Sequence, residues 1–249
     1  IMFHVEHFYN TIKSILEDIN IPPADAITKL IKYGELIHTE NSKYNLTGHK
    51  TIEDIIINLI IESLSPLRLT DVPRGTSVAD MGTGAGIPGI PLAIIYPEIE
   101  FTLFDSNNKK IRFIDFAANE LSIRNVKAIH GRLEEIAREK EFREKSDVVV
   151  SRAMSDVYMA GELGSPFIKP GGYLYLYISE KQKGLPSPVV DHLKKLSLDI
   201  ITDGNTVSPL NIKTTSGLLL YKSSHVADIY PRRISAIRRG AAETEKPGK

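Results

Sequence analysis

Between Val5 and about Ser65 the apolar positions recur at helical spacing: Phe8, Ile12, Ile15 and Ile19, then Ile27, Leu30, Ile31 and Ile37, with Pro22 and Pro23 between the two sets. A stripe of this period buries one face of a helix and a proline pair interrupts it, so amphipathic helices are predicted on both sides of the break. The run Ile55-Ile56-Ile57-Asn58-Leu59-Ile60-Ile61 fits a buried strand by periodicity alone. Its polar flanks carry it to helical length, and it predicts a third helix.

Past the turn-rich stretch Asp71-Val72-Pro73-Arg74-Gly75 the pattern changes to short apolar runs alternating with helical ones. Strands are predicted at Ser77–Met81, Phe101–Phe104, Val126–Ile129, Asp147–Ser151 and Tyr173–Ile178, with helices from about Pro88 and across Lys109–Leu121. Pro170-Gly171-Gly172 punctuates the series, and Asp199–Thr202 with Gly217–Lys222 closes it as an antiparallel pair. Alternation at this spacing builds βαβ units. The predicted class is α/β, a mostly parallel Rossmann-like sheet with helices on both faces. A small helical subdomain is assigned to 1–68, the sheet domain to 69–225, and a basic tail without apolar period to 226–249.

Lys and Arg total 31 against 31 Asp and Glu, so no global field draws the protein to a polyanion and any such partner must be met by a local patch. The absence of cysteine removes disulfides, thiolate metal sites and thiolate nucleophiles. The seven histidines show no metal-ligand spacing, and no metal is expected. The first residues lack a basic region followed by an apolar one, and no apolar run approaches the roughly 20 residues of a membrane span. A cytoplasmic protein without membrane contact is expected.

The chemistry concentrates in Val78-Ala79-Asp80-Met81-Gly82-Thr83-Gly84-Ala85-Gly86-Ile87-Pro88-Gly89. A strand ends in an acid, glycines follow at alternate positions, and a proline marks a helix start. Glycines there let the chain turn tightly and let a ligand lie against bare backbone. Such a turn also occurs with no ligand at all. The dinucleotide fingerprint is G-x-G-x-x-G. Here the third glycine comes one position early and Ile87 stands where that fingerprint needs glycine, which opposes a nicotinamide oxidoreductase. Asp105, 25 positions after Asp80, ends the next predicted strand, where its carboxylate can accept both hydroxyls of a ribose. Arg152, after the fourth strand, is a fixed fork suited to phosphate or carboxylate. Arg232, Arg233, Arg238 and Arg239 are candidate phosphate contacts in the tail. Lys109, Lys110 and Arg112 are further candidates near the turn.

The D-x-G-x-G-x-G shape resembles the class I methyltransferases that use S-adenosylmethionine. The resemblance then narrows. Tyr44-Asn45-Leu46-Thr47, Asp80 to Pro91, Asp105-Ser106, Lys109-Lys110-Ile111-Arg112-Phe113, Arg132-Leu133-Glu134-Glu135, Ser151-Arg152-Ala153 and Lys169-Pro170-Gly171-Gly172 together resemble the bacterial small-subunit ribosomal RNA guanine-N7 methyltransferases, also called glucose-inhibited division protein B. That resemblance implies S-adenosylmethionine as cofactor, ribosomal RNA of a small subunit or its precursor as partner, and cofactor contacts at Gly82, Ile87, Leu133, Glu134, Arg152 and Asp105. Asp80, Gly84 and Gly86 complete the candidate cofactor set from the turn itself. No residue is assigned as a general base, because guanine N7 carries a lone pair and no proton.

This sequence departs from the family on the side that the resemblance assigns to RNA. An Arg-His-x-x-Asp-Ser stretch usual on the third helix is Asn58-Leu59-Ile60-Ile61-Glu62-Ser63 here, and Ser179-Glu180 replaces a Lys-Gly pair. An S-adenosylmethionine-dependent methyltransferase of another substrate and a non-catalytic RNA-binding relative are the alternative readings.

Overall fold

The computed structural model describes residues 2–18, 20, 24–64, 67–69, 72–152, 154, 156–178, 184–201, 213–214 and 217–244. Helices α1 (Met2–Asp18) and α2 (Ala24–Tyr44) form on the predicted stripes, with Phe8, Ile12, Ile27, Leu30 and Ile37 buried. The isoleucine-rich run is helical as predicted, in three pieces: α3 (Ile52–Ile55), a π-helical turn (Ile56–Ile61) and α4 (Glu62–Leu64). Thr51 caps its start by accepting from the Asp54 amide.

A short strand β1 (Leu67–Arg68) follows, and then the alternating unit begins. Its members are β2 (Ser77–Met81), α5 (Gly89–Ile95), β3 (Glu100–Asp105), α6 (Asn108–Glu120), β4 (Val126–His130), α7 (Leu133–Ile136) and β5 (Ser146–Ser151). The later part comprises α8 (Val157–Gly164), a 3-10 turn (Ser165–Phe167), β6 (Ile168–Leu176), α9 (Ser187–Lys195), β7 (Leu198–Ile201), β8 (Lys213–Thr214), β9 (Leu218–Lys222) and α10 (Ile234–Thr244).

Among the described residues the main sheet has seven strands in the order β4-β3-β2-β5-β6-β9-β7. Strands β2 to β6 are parallel, and β9 runs antiparallel between β6 and β7, so the late strands pair as the alternation implies. A separate two-stranded ladder joins β1 to β8. Strand order reverses between β2 and β5, the place where open α/β sheets leave a crevice at their carboxyl ends. Period-two alternation divides the core in two. Val78, Leu103, Val150 and Tyr175 face α2, α5 and α6 through Tyr33, Ile90 and Phe113. Ala79, Phe104, Val149 and Leu174 face the other way, onto Leu163, Leu193 and Ile237 of α8, α9 and α10.

Two expectations need correction. The Pro170-Gly171-Gly172 punctuation lies inside β6, which begins at Ile168 and not at Tyr173. The register jumps from Ser146↔Ile168 to Val148↔Tyr173, so the extra residues bulge out of the ladder, with Gly171 at φ +90. The supposed tail is also folded: α10 buries Ile237 and Ala241, while residues 245–249 lie outside the described part. Its period is hard to see because alanine and glycine occupy positions where larger side chains would have marked it. Thr202, Ala153, Ser179 and Glu180 also fall outside the described residues.

Candidate cofactor and substrate site

The carboxyl end of β2 turns sharply, with Gly82, Gly84 and Gly86 at φ +66, +61 and +87. At Gly86 the constraint is contact as well as conformation, since an added Cβ would fall 2.6 Å from the Tyr33 hydroxyl. Above Gly84 there is room. A Cβ there would meet nothing nearer than Lys110 Nζ at 3.8 Å.

Internal hydrogen bonds fix the turn. Thr83 N donates to Phe104 O at 3.0 Å, tying the loop to β3, and Thr83 O accepts from the amides of Gly86 and Ile87 at 2.9 and 2.8 Å. Asp80 is fully buried beneath it, with Oδ2 accepting from Thr83 Oγ1 at 2.6 Å and from Gly89 N at 2.9 Å. Its Oδ1 has no partner among the described residues. Burial pushes the Asp80 carboxyl up to about 7, against the opposing pull of the Thr83 and Gly89 hydrogen bonds.

Asp105 ends β3 and is brought directly to the turn. Its Oδ2 accepts from Gly84 N at 2.9 Å and its Oδ1 from Asn107 N at 2.8 Å. Each oxygen keeps a further lone pair for a ligand. Gly131 N donates to Asp105 O at 3.1 Å, placing the β4 end beside it, and Leu133 and Glu134 open α7 half-buried at that same edge. Ile87 is buried in the turn.

Arg152 does something other than the sequence suggests. Its guanidinium donates to Leu59 O at 3.0 Å, to Ser63 Oγ at 3.3 Å and to Asn58 O, and pairs with Glu62 Oε2 at 2.6 Å. The fork expected to meet cofactor or phosphate is filled by carbonyls of the π-helical turn and by an acid. Tyr177 adds a hydrogen bond to Ser63 O at 3.0 Å. From the other side Tyr33 of α2 donates to Ala85 O inside the glycine turn. The N-terminal helices are thus fastened to the carboxyl edge of the sheet at two places.

The family model described as rRNA small subunit methyltransferase G matches residues 26–186. A protein named ribosomal RNA small subunit methyltransferase G from Clostridium kluyveri is 31% identical over 237 residues, covering 92% of this chain and 97% of that one. One from Alkaliphilus oremlandii is 34% identical, over 89% and 95%. One from Lachnoclostridium phytofermentans is 44% identical over 149 residues, 60% of this chain and 62% of that one. The chain belongs to the rRNA small subunit methyltransferase G family. Members are methyltransferases.

The remaining candidates of this family member divide. Lys109 and Arg112 are exposed on α6, and Lys110 is half-buried over Gly84. Arg233, Arg238 and Arg239 are exposed, but Arg232 is not a free phosphate ligand. It forms two short bonds to Glu162, at 2.8 Å from Nε to Oε1 and 2.6 Å from Nη2 to Oε2, and its amide donates to the same carboxylate at 2.8 Å. The Glu162 carboxylate is fully buried, and a buried charge draws the nearest cation.

The sequence reading gave no role to Tyr33 or Glu162 and took Tyr177 only as part of the strand Tyr173–Ile178. Tyr33 sits on an apolar stripe and reads as core. Glu162 left a signal: it is the one charged residue in Val-Tyr-Met-Ala-Gly-Glu-Leu-Gly, and an acid in an apolar helix needs a partner.

Proposed function

We propose that this methyltransferase transfers a methyl group from S-adenosylmethionine to N7 of a guanine in small-subunit ribosomal RNA, in the cytoplasm. The observation that carries the reading is the open glycine turn, with Asp105 bonded to Gly84 N at 2.9 Å and an unpartnered buried oxygen on Asp80. A cofactor with ribose hydroxyls and an ammonium group suits that donor and acceptor set. The hydroxyls match the free lone pairs of Asp105, and the bare backbone above Gly84 leaves room for the rest. Bound there, the cofactor supplies an electrophilic methyl group.

The chain's own part is positional. Guanine N7 has an in-plane lone pair and no proton, so no residue needs to act as a base. Alignment of two groups at reactive distance is sufficient to supply much of the rate. The rigid turn, held by Asp80, Thr83 and Tyr33, provides one fixed partner. N7 faces the major groove, which in A-form RNA is too deep and narrow for side chains, so the target is a splayed or loop nucleotide.

Incubating unmethylated small subunits with the protein and methyl-labelled S-adenosylmethionine, followed by mass spectrometry of the RNA, tests this. Label on N7 of one guanine is the expected result. Label on an exocyclic nitrogen, or none on RNA, overturns the reading.

A further inference from the structure

The last helix presents a positive face that the fold does not use. In α10, Ile237 and Ala241 are buried, and Gly240 lies so close to Tyr158 that an added Cβ would fall 2.3 Å from the phenol oxygen. These positions define the packed side. Arg238 and Arg239 project from the other side and are exposed, as is Arg233 just ahead of the helix. Among the described residues these three guanidinium groups have no carboxylate partner, and Glu243 is the single acid in α10.

Exposed arginines are ordinarily a solvated surface. Two features set these apart. The first is rigidity: Arg232 is bonded through side chain and backbone to the buried Glu162, and Arg138 and Arg143 gather the carbonyls of residues 226–231, with Arg143 donating to Tyr230 O at 3.0 Å. The second is place. β5 ends at Ser151 and α8 starts at Val157, so the first turn of α8, capped by Asp156, lies at the carboxyl edge of the sheet with the glycine turn. Tyr158 belongs to that first turn, and Gly240 sits against it.

We propose that Arg233, Arg238 and Arg239 form a phosphate-binding face that holds the RNA substrate beside the cofactor crevice. The inference rests on the RNA reading above. Guanidinium forks match phosphate oxygens in pairs. A chain with equal numbers of acidic and basic residues has no net charge to draw RNA, so its phosphate contacts must come from local patches such as this one.

The test is the salt dependence of binding to unmethylated small subunits by full-length protein. The double variant Arg238→Gln/Arg239→Gln should shallow the log–log slope by about 1.4–1.8, two contacts at roughly 0.7–0.9 each, while calorimetry shows S-adenosylmethionine affinity unchanged. Lys194→Gln/Lys195→Gln removes the same charge from the exposed last turn of α9, at the opposite edge of the sheet, and should leave the slope as in wild type. Equal slopes for wild type and the arginine variant, or equal flattening in both variants, overturn the proposal. If wild-type protein methylates the RNA and the arginine variant keeps its slope, only the α10 assignment falls. If wild type methylates no RNA, the functional reading falls and takes the assignment with it.

Discussion

On one face of the sheet α2 reaches the glycine turn with a neutral phenol, while on the other α10 is held to α8 by a guanidinium and a buried carboxylate. Among the described residues each face contains one fully buried acid, and the two have opposite fates. Asp80 is partnered by a hydroxyl and an amide, and burial prevails, lifting it to about 7. Burial would lift Glu162 as well, but hydrogen bonds from Arg232, with His192 Nε2 3.1 Å from Oε2, hold it at about 2. Depth alone does not decide the charge of a carboxylate; a cationic partner does. The crevice side therefore keeps a carboxyl that titrates near neutrality, and the structural side keeps one that stays ionised.

Arg232→Ala should break this contrast with the largest effect. Removing Arg232, which is itself partly exposed, leaves the fully buried Glu162 without its cationic partner, at a cost of about 3 kcal/mol, which urea unfolding will read. A loss below about 1 kcal/mol would place the pair with ordinary surface bridges.

The pH profile sharpens the same comparison. The stabilisation carried by Glu162 is complete above its usual value of 4.5 and drains away as pH falls toward 2. For Asp80 the sign reverses: its contribution is complete below 3.8 and is lost as pH rises through about 7. Asp80→Asn should therefore flatten the decline in stability across that upper window. A decline as steep as in wild type would show that another group causes it.

At the crevice the effects are smaller. Asp105→Ala should weaken S-adenosylmethionine binding by about 1.5–3 kcal/mol, the worth of hydrogen bonds to a charged group, with the fold intact by circular dichroism. Unchanged affinity in calorimetry removes Asp105 from the site. Smallest is Tyr33→Phe, which deletes one hydrogen bond to Ala85 O and should cost about 1 kcal/mol of cofactor affinity. Equal affinities would mean that the glycine turn holds its shape without α2.

What could be read from the sequence was whatever local pattern dictates. The strand ends at Met81 and Asp105, the glycine spacing and the isoleucine-rich helix all follow from period and turn chemistry, and the structure has them where they were expected. Helix α8 escaped because Gly161 and Gly164 dilute its propensity. The role of Arg152 escaped for another reason. Its partners are main-chain carbonyls of Asn58 and Leu59, which look alike in any sequence and are singled out only when two distant segments meet. Arg232 was read with its neighbours as one cluster, and only the position of Glu162, 70 residues earlier, separates it from them.

The insertion of β9 between β6 and β7 has a consequence for how the chain emerges during synthesis. Among the described residues, β9 is last in sequence but not last in space, and β7 has no neighbour in the sheet except β9. Until residues 218–222 have been made, β6 remains an open edge of five parallel strands and β7 waits beside it unpaired. An edge left bare on a nascent polypeptide invites pairing with the wrong neighbour. The sheet can close only once β9 has been made, and the segment that follows at once, Val226 to Pro231, is gathered by Arg138 and Arg143, so completion of the sheet and docking of α10 become one event.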